Sequence, residues 1–106
     1  MDDRRLLGQR FKELRRAREW SQEELAEKMG ISPNYLSSVE RGRENPTLDL
    51  LITLAKALRV ELVDLFNYPW LTMSETDLKK KLRVLIDDAD LERLREILAL
   101  VKAREL

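Results

Sequence analysis

Residues 21–42 fix two helix starts and a forced turn in quick succession, and this leaves the chain few ways to fold. Ser21 is suited to cap a helix, with Glu24 three positions on as its reciprocal capping-box partner. Gly30 stands where that helix must stop and the chain must turn. Ser32 can cap a second helix, and Pro33 falls in its first turn, where a missing N–H costs nothing. Leu25, Ala26 and Met29 give the first helix an apolar face; Leu36 and Val39 give one to the second. Two helices joined this tightly, the outer one with short polar side chains, make a helix-turn-helix unit. The second helix of such a unit is shaped to lie in the major groove of DNA.

Composition narrows the chemistry further. A chain of 106 residues makes one domain, or one domain with an appendage, and can bury a modest core without staples. There is no cysteine, hence no disulfide framework and no thiolate metal site. There is no histidine, so the commonest general base and metal ligand is missing. Asp87, Asp88 and Asp90 superficially suggest a calcium loop, but the central glycine and closing glutamate are missing. No nucleophile–base pair, glycine-rich phosphate cradle or metal-spaced cluster can be read, so the expectation is no enzyme, no metal and no cofactor. Charged residues are 38 % of the chain, twenty of each sign, which favours a helical protein with salt-bridged surfaces. The opening Met-Asp-Asp-Arg-Arg has no apolar run behind it, and no stretch approaches a membrane span. The expected setting is cytoplasmic.

The rest of the chain reads as helices. Leu7, Phe11 and Leu14, with Leu6 beside them, predict a helix from about Asp3 to Glu19. Trp20 fits a core-edge aromatic in the connection. Thr47 starts a helix running to about Leu58, with Leu48, Leu51, Ile52, Ala55 and Leu58 on a broad buried face. A short helix over about Glu61–Phe66 would turn Leu62, Leu65 and Phe66 inward. Asn67-Tyr68-Pro69-Trp70 then breaks the pattern and marks a boundary. Ser74 with Asp77 starts a further helix carrying Leu78, Leu82, Leu85 and Ile86. Asp87, Asp88 and Asp90 mark a break and a new N-terminus, where acids suit the helix dipole. The last helix, about Ala89 to Arg104, carries Leu91, Leu94, Leu98 and Val101 with Ile97 and Leu100 beside them. Such a stripe is too apolar to leave in water.

Residues 5–66 resemble the Cro/cI-type helix-turn-helix family, also called the XRE family. The resemblance rests on Leu14-Arg15, Ser21-Gln22-Glu23-Glu24-Leu25-Ala26 and Tyr35-Leu36-Ser37-Ser38-Val39-Glu40-Arg41-Gly42. It continues through Asn45-Pro46-Thr47-Leu48, Leu54-Ala55-Lys56-Ala57-Leu58 and Asp64-Leu65-Phe66. It implies an all-α chain with a five-helix helix-turn-helix domain, residues 1–70, and a two-helix C-terminal extension, residues 71–106. In architecture the extension is similar to that of SinR-type regulators.

The resemblance also assigns roles. It implies that Arg15 pairs with Glu40 at the end of the recognition helix, and that Gln22 contacts a phosphate while buttressing that helix. It places base readout on Ser32, Pro33, Asn34, Ser37 and Ser38. Asn34 is the most informative of these, because its amide can pair bidentately with adenine. The serines discriminate poorly, and Pro33 offers only apolar contact. With no arginine on this face to grip guanine, a preference for A·T-containing half-sites is expected. Tyr35 could reach phosphate or sugar, or simply pack at the helix edge. Arg41, Arg43 and Asn45 fall where the DNA backbone would pass; Arg4, Arg5 and Arg10 are weaker candidates. Residues 1–46 hold ten Lys/Arg against nine Asp/Glu, so non-specific binding should be weak.

The expected function is a sequence-specific regulator of transcription, a dimeric repressor reading a pseudo-palindromic double-stranded operator. Leu91, Leu94, Ile97, Leu98 and Val101 are the expected dimerisation residues, within residues 74–106. The alternatives are an antitoxin-type autorepressor, whose tail takes a protein partner, and a protein-interaction module on the same fold. No membrane partner is expected.

Overall fold

The computed structural model describes residues 3–105; Met1 and Asp2, at the head of the segment read for a leader, and Leu106 lie outside the described residues. Every regular element among them is helical. Helices α1 (Asp3–Ala17), α2 (Gln22–Met29), α3 (Pro33–Glu40) and α4 (Leu48–Leu58) come first. Two 3-10 turns, Leu62–Phe66 and Pro69–Thr72, follow, and then α5 (Glu75–Asp88) and α6 (Leu91–Ala103). The chain divides into two compact units, the first ending at Leu71 and the second beginning at Thr72.

In the first unit, local sequence sets the starts of α2, α3 and α4. The Oγ of Ser21 accepts from the Glu24 N–H and the Glu24 carboxylate accepts from the Ser21 N–H, both at 3.1 Å, a complete capping box. Ser32 and Thr47 cap α3 and α4 in the same way, each accepting at 3.1 Å from the backbone three residues on. Gly30, at φ 72°, takes the left-handed conformation that ends α2. Arg59 (φ 57°) does the same after α4 without being glycine. So does Glu19 (φ 60°), and α1 therefore stops at Ala17, two residues short of the end its sequence suggests.

The core gathers one face of each helix. Phe11, Leu25, Leu36, Leu54, Leu58 and Leu65 are almost fully excluded from solvent, and each such side chain is worth about 1.5–3 kcal/mol of burial. α1 packs on α3 and on the first 3-10 turn, α2 on α3 and α4, and α4 on the first 3-10 turn. Leu7 and Leu14 pack half-buried against the core beside Phe11, and Leu6 is buried at the head of α1. Trp20 is half-buried against the core, as a core-edge aromatic should be, with the Lys28 ammonium 4.7 Å from its ring centroid.

Two stretches differ from the sequence reading. Leu48 is exposed, and the inner face of α4 is Leu51, Leu54, Ala55 and Leu58. Residues 62–66 coil as a 3-10 turn, with only Leu65 buried and Leu62 and Phe66 exposed. With three residues per turn, Phe66 is rotated about 120° away from Leu65 and faces solvent.

In the second unit, Ser74 caps α5 at 3.1 Å to the Asp77 N–H, and Asp90 caps α6 at 2.8 Å to the Arg93 N–H. Asp90 is thus the acid that starts a helix. Asp87 and Asp88 instead occupy the last turn of α5, where a carboxylate opposes the dipole. No residue of α5 or α6 is buried. Leu82, Leu85, Leu91, Leu98, Leu100 and Val101 are all more than half exposed. No helix of the described residues is long and apolar enough to cross a membrane.

Candidate nucleic-acid interface

The outward face of α3 is built from the bottom up by what lies behind it. Leu36, Val39 and Glu40 point into the first unit and are buried. Helical periodicity then turns Asn34, Ser37, Ser38 and Arg41 to the opposite side, at i, i+3, i+4 and i+7. Ser32, Pro33 and Asn34 are exposed at the helix N-terminus; Ser37 and Ser38 are half-buried along its flank. The segment 31–39 carries no acid, so nothing on it repels a phosphate.

The orientation of that face is locked by Glu40. Its carboxylate accepts a bidentate pair from Arg15, Nε to Oε2 at 2.8 Å and Nη2 to Oε1 at 2.9 Å. The third Arg15 nitrogen, Nη1, donates to the Trp20 carbonyl at 2.8 Å, tying in the connection between α1 and α2. Both side chains are buried, at 8 % and 2 % exposure. The Gln22 amide donates to Glu40 Oε1 at 3.1 Å. An amide nitrogen has two protons, so Gln22 can buttress α3 and still offer one N–H outward.

The segment after α3 is held as firmly. Gly42, at φ 74°, donates to the Val39 carbonyl, and Arg43 N–H reaches back to the Ser38 carbonyl, both at 3.0 Å. A Cβ on Gly42 would also lie 2.6 Å from the Arg5 Cα, so only glycine lets α1 come this close. The result sets Arg41, Arg43 and Asn45, all exposed, directly beyond the C-terminal end of α3. Arg41 Nε donates to its own helix, at 3.2 Å to the Ser37 carbonyl.

The residues read from the sequence as contacts therefore fall into two sets. Ser32, Pro33, Asn34, Ser37 and Ser38 lie together on α3, with Gln22 behind them and Arg41, Arg43 and Asn45 at the far end. Leu91, Leu94, Ile97, Leu98 and Val101 belong to the second unit. Tyr35 and Arg10 also have partners within the first unit. Tyr35 packs its ring half-buried against the core. Arg10 donates through Nε and Nη2 to the Asp64 carbonyl, at 3.1 and 3.0 Å, and serves the fold.

Sequence reasoning missed Gly8. A Cβ there would stand 2.5 Å from the carbonyl oxygens of both Val39 and Glu40. The bare backbone of α1 thus rests on the C-terminal end of α3. A glycine inside an otherwise apolar-periodic helix was the available signal.

Comparison with known proteins agrees with this geometry. A helix-turn-helix family model (HTH_3) matches residues 11–65. The uncharacterized HTH-type transcriptional regulator y4dJ of Sinorhizobium fredii is 51 % identical over 65 residues, 61 % of this chain and 84 % of that protein. The restriction-modification controller protein C.AhdI of Aeromonas hydrophila superposes with a TM-score of 0.59 at 43 % identity, over 59 % of this chain and 96 % of that one. SinR of Bacillus subtilis is 34 % identical over 85 residues, 79 % of this chain and 77 % of its own length. A SinR structure in complex with DNA matches at 39 % identity and a TM-score of 0.55, over 57 % of this chain and 98 % of that one. A complex of the SinR and SinI proteins matches at 31 % identity and a TM-score of 0.58, over 93 % of this chain and 97 % of that one.

Proposed function

The chain belongs to the helix-turn-helix family of the Cro/cI (XRE) type, and we propose that it is a sequence-specific DNA-binding regulator of transcription that reads its operator through α3. The single observation that carries this reading is the α3 face itself. Small uncharged polar side chains project from a helix whose orientation is fixed by a buried bidentate ion pair. A preorganised helix of this kind loses little entropy on docking. Asn34, at the N-terminal end that enters the groove first, reads adenine; Ser32, Pro33, Ser37 and Ser38 complete the fit. Gln22, Arg41, Arg43 and Asn45 hold phosphates and set register.

The protein acts as a dimeric repressor in the cytoplasm. Two copies present their α3 helices about 34 Å apart, in successive turns of a pseudo-palindromic site. Dimerisation falls to residues 74–106, where Leu91, Leu94, Leu98 and Val101 form an uncovered stripe on α6, with Ile97 half-buried beside them. The same stripe supports a second use, docking of a protein partner: SinR, alike over nearly the whole chain, was solved in complex with the SinI protein. The relatives are regulators, not enzymes.

Selection of bound duplexes from random DNA, with the full chain and with residues 1–70, tests the reading. A two-fold-symmetric site from the full chain, bound much more weakly by the shorter one, is the expected result. No enrichment from either would overturn it in favour of a protein-interaction module.

A further inference from the structure

The close approach at Gly42 joins two basic segments that are far apart in the chain. A Cβ on Gly42 would lie 2.6 Å from the Arg5 Cα, 2.7 Å from the Arg5 nitrogen and 3.0 Å from the Arg4 carbonyl carbon. The first turn of α1 therefore rests on the loop after α3. The rest of α1 says which way Arg5 is turned. Arg5, Gly8, Lys12 and Arg15 recur at i, i+3, i+7 and i+10, a single stripe of the helix. Gly8 lies against the Val39 and Glu40 carbonyls and Arg15 grips Glu40, so this stripe is the one turned to the C-terminal end of α3. Arg15 is buried toward one end of it; Arg5 is exposed at the other, beside Gly42. Arg41 and Arg43, both exposed, flank Gly42 in the loop. Arg10, on the far side of α1, is bound to the Asp64 carbonyl instead.

We propose that Arg5 is a phosphate-binding residue: from the first turn of α1 it grips the duplex backbone beside the phosphates taken by Arg41 and Arg43, and so carries the DNA contact beyond the helix-turn-helix. This rests on the reading of α3 above. Charge supports it. Segments 3–5 and 41–45 hold Arg4, Arg5, Arg41 and Arg43 against Asp3 and Glu44, a local positive surplus in a chain whose net charge is zero. Guanidinium groups gathered at one edge repel one another until an anion lies between them, and each can take a phosphate through two parallel N–H donors. The other use for a cation here is structural. Arg5 would then complement the C-terminal dipole of α3, whose last turn holds no basic residue of its own. The two roles part in solution. A dipole partner adds stability and leaves the salt dependence of DNA binding alone, whereas a phosphate partner releases a counterion on binding.

The test compares full-length wild type with Arg5→Gln, Arg5→Lys and Lys56→Gln. Glutamine is about as good a helix former as arginine, and Arg5 is exposed, so the first variant keeps its fold. Lys56, exposed in the last turn of α4, controls for the loss of one charge away from the interface. The probes are a short duplex carrying one half-site and a random-sequence duplex of the same length, titrated from about 50 to about 200 mM salt. On both, Arg5→Gln is expected to flatten the slope of log affinity against log salt by about one, so that wild type loses roughly threefold to fourfold more affinity than the variant over that range. Arg5→Lys and Lys56→Gln keep the wild-type slope. Neutral methylphosphonates placed singly along the half-site give a second readout: one position weakens wild type and has no effect on Arg5→Gln. An unchanged slope in Arg5→Gln overturns the proposal and leaves the α3 reading intact. So does a collapse of its urea midpoint, which would assign Arg5 to the fold. Wild type that binds random DNA but selects no site overturns only the sequence-specific reading, and the random duplex still decides Arg5. Wild type that binds neither duplex overturns both.

Discussion

Glu40 accepts three hydrogen bonds, two from Arg15 of α1 and one from Gln22 of α2, and the recognition face is oriented by what happens behind it. A buried pair of this kind is weak evidence for stability, since desolvation offsets much of its attraction; its value is in fixing one arrangement. Gly8 has the complementary role of allowing the close approach. Gly8→Ala gains about 1 kcal/mol in helix propensity. Against it stand two backbone oxygens 2.5 Å from the new Cβ, and neither can swing aside as a side-chain tip would. The net expectation is a loss of about 1–3 kcal/mol in urea unfolding; a neutral or stabilising result would show that α1 and α3 can part without cost. These two residues differ in legibility. The Arg15–Glu40 pair was visible through the family resemblance, because both residue types stand at the matching positions. Gly8 was not, because its constraint comes from backbone atoms more than thirty residues away.

At the scale of elements, the starts of helices were easier to read than their ends. Ser21, Ser32, Thr47 and Ser74 all cap where the sequence pattern suggested, because capping is a local reaction between a side chain and the backbone three residues on; among the acids at 87–90 that marked the last start, Asp90 is the cap. The end of α1 uses the left-handed conformation at Glu19 without a glycine, so no residue type advertised it; α4 turns the same way at Arg59, but its apolar pattern already placed the end at Leu58. The turn over residues 62–66 was read as helix with three inward side chains because short apolar runs do not reveal their period. The loop after α3 offers a sharper test. Arg43 is exposed beyond Gly42 and is assigned a phosphate. Arg43→Ala is expected to weaken binding about equally on matched and mismatched duplexes and to reduce the salt-dependence slope by about one. A change in base preference with an unchanged slope would move Arg43 from backbone contact to readout.

On the scale of the whole molecule, the chain combines a closed first unit with a second whose apolar side chains are uncovered. Its formal net charge of zero makes long-range attraction to DNA small, so affinity depends on fit and on pairing two weak half-sites. Leu98→Glu puts a charge in the middle of the α6 stripe. It is expected to leave sedimentation at the monomer mass, to cut affinity for the two-fold site by about a hundredfold, and to spare the single half-site. A dimer unaffected by Leu98→Glu would relocate the interface away from α6. The apolar stripe was legible from spacing alone; that most of it stays exposed was not, because burial is a property of the folded chain. The measurement that reaches the central claim most directly is parallel selection from random duplex DNA with wild type and Asn34→Ala. Both should recover the same two-fold site, with one adenine position in each half-site relaxed by about 1–3 kcal/mol of discrimination in the variant. Identical preferences at every position, or no recovered site from wild type, would contradict the assignment of α3 as the reading helix.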